Sequence, residues 1–335
     1  MSQQDALVGA WLATICALVT VMILVGGATR LTDSGLSITE WDFAKHFAPP
    51  LTERGWLDEF ALYQRTTEYQ VQNRGMSLDD FRFIYLWEWG HRFLGQVIGL
   101  VFVLPFLFFL ATGRLKGRVA PIAALGVLGG LQGAVGWWMV TSGLYGRLDV
   151  SAVRLMTHLG LAFAILGFAF WQTMTAFGRP AARSAAGPGQ GLVWALAAML
   201  YAQILLGALM AGSDAGIAFN DWPTIGGEWM PSNYDEFSPP WANLTENRAA
   251  IQFHHRLVGY LYFGAAIGLA WLAFRAGGPA WPAAMATAGL ALLQATLGIA
   301  TILIGAPLWI SLLHQAGAVA LWLCTLWWAR TARAR

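Results

Sequence analysis

Six histidines occur in the 335 residues. Five of them, His91, His158, His254, His255 and His314, lie inside long apolar runs. An ionisable side chain in such a run is costly and normally faces a bundle interior with a partner. Neutral imidazole is also a good ligand for metals and for heme iron. His91, His158, His255 and His314 fall on the second, fourth, sixth and eighth of eight apolar runs. Each sits roughly 6–9 residues in from the same face of a bilayer, in its outer third. Imidazoles presented at matched depth by two helices are what bis-histidine heme ligation in a bundle requires. The plainer alternative is a set of polar side chains that hydrogen-bond between helices. Zinc or copper fits less well, because few carboxylates and no cysteine accompany the histidines.

Neighbouring residues refine this set. His254 competes with His255, but adjacent helical positions differ by about 100° in direction, so only one can face a given iron. The pattern His-Arg-x-x-Gly recurs at 91–95 and 255–259 and selects His255. His254 and the loop residue His46 are read as polar neighbours or surface residues. Glu88 lies three residues before His91 and projects from nearly the same helix face, a place suited to handling protons. The matching position in the second half is Gln252, which cannot titrate. Arg92 and Arg256 follow the histidines and are candidates to pair with heme propionates, with Arg30 and Arg154 as further candidates. Asp33 and Asp214 stand in Asp-x-Gly contexts at helix exits and are expected to mark turns. Gly95-x-x-x-Gly99, Gly126-x-x-x-Gly130 and Gly264-x-x-x-Gly268 predict close helix packing.

An internal repeat relates these residues. Val25 to Trp41 aligns with Leu206 to Trp222 without a gap, sharing Gly26/Gly207, Asp33/Asp214 and Gly35/Gly216. His91 matches His255, Gln132 and Gly136 match Gln294 and Gly298, and His158 matches His314. Four spans per half make the repeats parallel in topology, so two four-helix bundles related by a pseudo-two-fold axis near the membrane normal are expected.

The elements that must position these groups are membrane helices. Apolar residues make up 57% of the chain and charged residues 11%, against about 25% charged in soluble domains. That balance excludes a disordered chain, a basic nucleic-acid binder and most soluble enzymes. Runs at 6–28, 83–111, 119–142, 151–177, 191–212, 249–274, 281–304 and 308–329 are each long enough to span a bilayer. The first run lacks a preceding basic region and a cleavage site, so it is expected to be retained. The short connections after the second, fourth and sixth spans, with the C-terminal tail, hold Arg114, Lys116, Arg118, Arg179, Arg183, Arg275, Arg330, Arg333 and Arg335 and no acid. Short Arg/Lys-rich loops stay cytoplasmic, which predicts cytoplasmic termini. The linker at 179–190 is expected to divide an N-terminal half, 1–178, from a C-terminal half, 191–335. Long outer loops cover 29–80 and 213–248. Within the first, Trp56, Phe60 and Tyr63 line one face of a helix that either rests on the membrane or caps the bundle. Ser77 to Asp80 predicts a helix start by side-chain capping. Cys16 and Cys324, both in apolar runs, form no CxxC or CxxCH motif.

Three segments also resemble a known family, heme A synthase: VGGATRLTDSGLSITEW at 25–41, FIYLWEWGHR at 83–92 and QFHHRLVGY at 252–260. The resemblance runs from about residue 8 to 328. It is strongest to the alphaproteobacterial and mitochondrial form, which lacks the loop cysteine pairs of Gram-positive members. No mitochondrial transit peptide is visible, so a bacterial inner membrane is expected. The resemblance implies oxidation of the C8 methyl of heme O to a formyl group, giving heme A for cytochrome c oxidase. It implies a heme b on His255 and His314, and substrate heme at His91 and His158 beside Glu88. Implied partners are heme O, the transferase that makes it, an electron donor and membrane lipid; a homo-oligomer is compatible and nucleic acid is not expected. Two rival readings are a di-heme b-type cytochrome that passes electrons from quinol, and a heme carrier without redox catalysis.

Overall fold

The computed structural model describes residues 3–41, 47–178 and 187–332. The described residues are helical, with no strand among them. Eight helices are long and apolar enough to cross a membrane: α1 (Gln3–Leu31), α4 (Leu78–Ala111), α5 (Val119–Val140), α6 (Ala152–Ala176), α7 (Gln190–Gly212), α9 (Arg248–Ala276), α10 (Trp281–Leu303) and α11 (Leu308–Thr331). Three short helices, α2 (Glu53–Tyr63), α3 (Thr67–Val71) and α8 (Ala215–Ala218), lie in the two long loops. The span boundaries agree closely with the apolar runs. The exception is α4, which starts five residues early because the Ser77 Oγ accepts from Asp80 N at 3.2 Å. Its 34 residues run to roughly 51 Å, well beyond the hydrocarbon thickness, so its first turns stand clear of the membrane.

The chain divides into two compact units, one ending at Gln172 and the other running from Thr173 to the C-terminus. The division falls inside α6, ahead of the 179–190 linker. Thr175, in the last turn of α6, accepts a bond from Arg330 of α11 at 3.1 Å, which ties that turn to the second unit.

In the first unit α1 packs on α4 and α4 on α5. The Trp11 indole donates to Val101 O at 2.8 Å, and its ring meets Phe102 and Phe109. Ser151 N, just before α6, donates to Ser142 Oγ just after α5, closing the short turn between them. The projecting end of α4 carries a cap built from the first long loop. There Phe60, Tyr63, Ile38, Phe81, Ile84 and Tyr85 form a buried cluster, with Phe60 and Tyr63 stacked on Phe81 and Trp56 edge-on to Tyr85. The apolar face of α2 is therefore buried on α4, the second of the two fates open to it.

In the second unit α7 packs on α9 and α11, and α10 packs on α9 and α11. Side-chain bonds join the helices: Gln190 to Ala329 O, and Tyr262 to Thr325. Asn247 begins α9. Its oxygen accepts from Ala249 N and Ala250 N, while its amide donates to Asn233 O and Tyr234 O of the loop.

Asp33 and Asp214 both adopt left-handed backbone, with φ of 48° and 53°, as expected of turn residues at helix exits. The glycine pairs turn out differently. A Cβ on Gly126 would meet Phe102 at 2.7 Å, but Cβ atoms on Gly99, Gly130, Gly264 and Gly268 would meet nothing within 4 Å. Spacing by four puts two glycines on one helix face, but only the tertiary arrangement decides whether that face meets a neighbour.

Inside the cap Glu68 is buried, and it accepts from the Tyr63 hydroxyl at 3.2 Å. Burial pushes its carboxyl up from 4.5 to about 8, aided by nearby Asp33, Glu88 and Asp149 and opposed by the Tyr63 bond. Between those values the folded cap holds a proton that the unfolded chain has released. Its stability contribution thus falls as pH rises from 4.5 to about 8 and is level outside that window. Amide exchange in α2 and α3 should quicken, beyond its intrinsic pH dependence, as pH rises through this window. Glu68→Gln should abolish that extra dependence; an unchanged profile would remove Glu68 as its source.

Candidate functional site

Each of the four repeat-matched histidines is half-buried and packs against a glycine on the preceding long helix of its unit. His91 of α4 lies on Gly26 of α1, and His158 of α6 on Gly136 of α5. In the second unit His255 of α9 lies on Gly207 of α7, and His314 of α11 on Gly298 of α10. A Cβ on these glycines would stand 3.1, 2.9, 3.3 and 2.9 Å from the ring, so glycine is what lets each imidazole approach its neighbouring helix this closely. Within each unit the two histidines are in electrostatic reach of each other, His91 with His158 and His255 with His314.

Amides accompany three of the four rings. Gln132 Nε2 donates to His158 O at 3.0 Å and lies 3.2 and 3.3 Å from the two ring nitrogens. Gln294 Nε2 donates to His314 O at 2.8 Å and lies 3.3 Å from its Nε2. Gln203 Nε2 lies 3.4 Å from His255 Nε2. The Nδ1 atoms of His255 and His314 are buried with no hydrogen-bond partner. Two imidazoles within reach of each other in an apolar bundle, with glycine beside each ring and, in the second unit, an unspent Nδ1 on both, fit heme iron with its flat macrocycle. Among the described residues no group of three or more His, Cys, Asp or Glu side chains is arranged to hold a metal ion.

One turn along from the histidines, each unit carries a clamp on its long outer loop. Glu88 is 3% exposed. Its Oε1 accepts from Arg92 Nε and Nη2 at 3.1 and 2.6 Å, and its Oε2 from Ser37 Oγ and Ile38 N at 2.7 and 2.8 Å. Arg92 also donates to Ile38 O and Glu40 O and lies over the Trp41 ring. The second unit repeats this device with reversed polarity. Gln252 donates through its amide to Ala215 O and Phe219 O and accepts from Arg256, which also donates to Asp221 O, Pro223 O and Thr224 O. A carboxylate only accepts and so faces loop donors; an amide also donates and so faces loop carbonyls. The Glu/Gln difference thus matches two loops of opposite hydrogen-bond character. Partial burial would raise the Asp221 carboxyl, but bonds from Gly227 N, Thr224 Oγ1 and Gly226 N bring it down to about 2.

The arginines offered for propionates also bond the chain itself. Arg92 and Arg256 hold loop carbonyls, because each guanidinium points outward along the helix toward the chain that returns over it. Arg30 pairs with Asp33 and Asp149, and Arg154 donates to Trp138 O at 2.6 Å. His254 bonds the Tyr234 hydroxyl at 2.7 Å, the polar neighbour expected, while His46 lies outside the described residues. Sequence reasoning did not pick out Ser37, Gln203 or the four ring-facing glycines as site residues. The repeat carried the signal for the glycines, since Gly26/Gly207 and Gly136/Gly298 are matched pairs.

Comparison with known proteins covers nearly the whole chain. A family model described as cytochrome oxidase assembly protein matches residues 9–326. The chain is 47% identical to a heme A synthase of Maricaulis maris, over 99% of this chain and 98% of the relative. It is 49% identical to one of Dinoroseobacter shibae over 92% of this chain and 83% of the relative. A third, of Parvibaculum lavamentivorans, is 42% identical over 95% and 92%. With nearly every residue of its eight spans inside the match, the chain belongs to the cytochrome oxidase assembly protein family.

Proposed function

We propose that this protein is a heme A synthase, oxidising the C8 methyl of heme O to a formyl group. The observation that carries the reading is the pair of glycine-backed histidines, within electrostatic reach of each other, repeated in each unit. In this reading His255 and His314 hold a resident heme b, and their unspent Nδ1 atoms and flanking Gln203 and Gln294 support it. Heme b supplies one-electron redox capacity when bound. His91 and His158 hold the substrate, heme O.

The remaining work falls to the chain's own side chains. Glu88 is the one acidic member of the two clamps, three residues before His91. With four donors on its two oxygens, its carboxylate is suited to stabilise positive charge developing near the substrate methyl. Taking up a proton there would first break a bond to Arg92, Ser37 or Ile38. The apolar spans exclude water from the histidine pairs. The protein sits in the inner membrane of a bacterium, with the basic short connections on the cytoplasmic side and the clamped loops on the other. An electron donor and the heme O-producing transferase complete the reading as partners.

Expression with a heme O source and chromatography of extracted hemes tests the assignment. Heme A or its hydroxylated precursor should accumulate, and heme B alone would favour a cytochrome or a carrier. Glu88→Ala should lower heme A output by about a hundredfold, the scale of a lost preorganised electrostatic contact. Normal output from that variant would take Glu88 out of the chemistry. His255→Ala or His314→Ala should each abolish the heme b spectrum of the purified protein, and survival of that spectrum in both would overturn the ligand assignment. A reporter active only outside the cytoplasm should work when inserted near Asp235 and fail when fused after Arg335; the opposite result would invert the orientation.

A further inference from the structure

An iron held by two histidines has no open position, so substrate oxidation at the first pair asks which ligand yields. His91 stands apart from the other three histidines in two ways. The first is its neighbour. Aligning Gly26 with Gly207 places Met22 of α1 where Gln203 stands on α7, one turn before the ring-facing glycine. The structure keeps that equivalence. The Gln203 amide nitrogen lies 3.1 Å from the place of a Cβ on Gly259, and the Met22 methyl lies 3.5 Å from the same place on Gly95. The amide reaches the His255 ring and can donate to it or accept from its N–H, whereas a thioether donates nothing and accepts only weakly. Among the described residues no side chain hydrogen-bonds the His91 ring, while Gln132, Gln203 and Gln294 attend the other three.

The second is the ring's setting. At Gly136, Gly207 and Gly298 the atom nearest the glycine is the imidazole Cε1, with Nδ1 next at the first two and Nδ1 and Nε2 equally near, at 3.6 Å, at Gly298. At Gly26 it is Nε2 at 3.1 Å, with Cδ2 next at 3.5 Å. A half-turn about the Cβ–Cγ bond exchanges those two edges. The ring without an amide is thus the ring that is turned over.

We propose that Met22 is a positioning residue that makes His91 the releasable ligand, and that the Met22/Gln203 exchange divides the two histidine pairs into one that opens and one that stays closed. Hydrogen bonds from outside the ligand set fix the rotation of a ligating imidazole. Gln203, at 3.4 Å from His255 Nε2 and with its own Oε1 buried without a partner, can accept the N–H of a ligating His255 once its amide turns, and Gln132 and Gln294 also tie their histidines' backbone to the neighbouring helix. Met22 supplies none, and its flexible side chain lets the His91 ring rotate away and back. The inference rests on the substrate reading of the first pair.

The test uses full-length protein purified from membranes supplied with heme O, in Met22→Gln and Met22→Leu forms. Extracted hemes are quantified, and the spin state of the bound iron is read by optical and EPR spectroscopy. Met22→Gln should keep both hemes, gain low-spin signal from the first pair, and lose about tenfold or more of its heme A output, the scale of an outer-shell bond to a ligating histidine. Met22→Leu adds no hydrogen-bonding group, so it should gain no low-spin signal and should keep a heme A output well above that of Met22→Gln. Equal heme A output from the two variants overturns the proposal. So does a Met22→Gln protein that loses output because it no longer holds the substrate heme, since bulk at position 22 would then explain the loss. A parent protein with heme b but no heme at the first pair would instead strike the substrate reading itself, and the inference with it.

Discussion

An apolar span offers polar groups no water, so every such group must find its partner within the chain. At the loop end of α4 that constraint is met one helical turn at a time. Glu88 and Arg92 close a charge pair on α4, and the bonds left over reach the returning loop at Ser37, Ile38 and Glu40. From that anchored segment Ile38 enters the aromatic cluster on which α2 is seated. The order of the outer face thus depends on a pair of side chains four residues apart.

The duplication shows how little must change to give two units different tasks. The backbone frame repeats: a glycine under each imidazole, an arginine one residue past the histidine of α4 and of α9, an aspartate in left-handed backbone at each first-helix exit. On that frame a carboxylate replaces an amide at 88 and 252, and a thioether replaces an amide at 22 and 203. Both exchanges alter hydrogen-bond character and leave the helices where they are. Chemistry has diverged in donors and acceptors, with the architecture held.

Much of this was legible from residue order because membrane helices obey local rules. Length and hydropathy locate the spans, Ser77 marks its helix start by its own side chain, and Asp33 and Asp214 mark turns by tolerating positive φ. The histidine pairs were readable because antiparallel spans turn sequence position into depth. Less legible was anything that depends on which face meets what. The Gly-x-x-x-Gly pairs look alike in sequence, yet Gly126 abuts Phe102 and Gly264 abuts nothing. That Arg92 and Arg256 each bond a loop carbonyl was not readable, because the loops that reach them arrive from more than thirty residues away.

By itself, then, the order of residues determined the eight spans and their repeat, because each follows from periodicity, length and composition along the chain. Only the tertiary structure decided what Glu88 and the arginines bond, that α2 caps α4, and that His91 alone among the four lacks an amide. Those are properties of side chains from distant segments meeting at bonding distance, and no local pattern encodes the direction from which a partner comes.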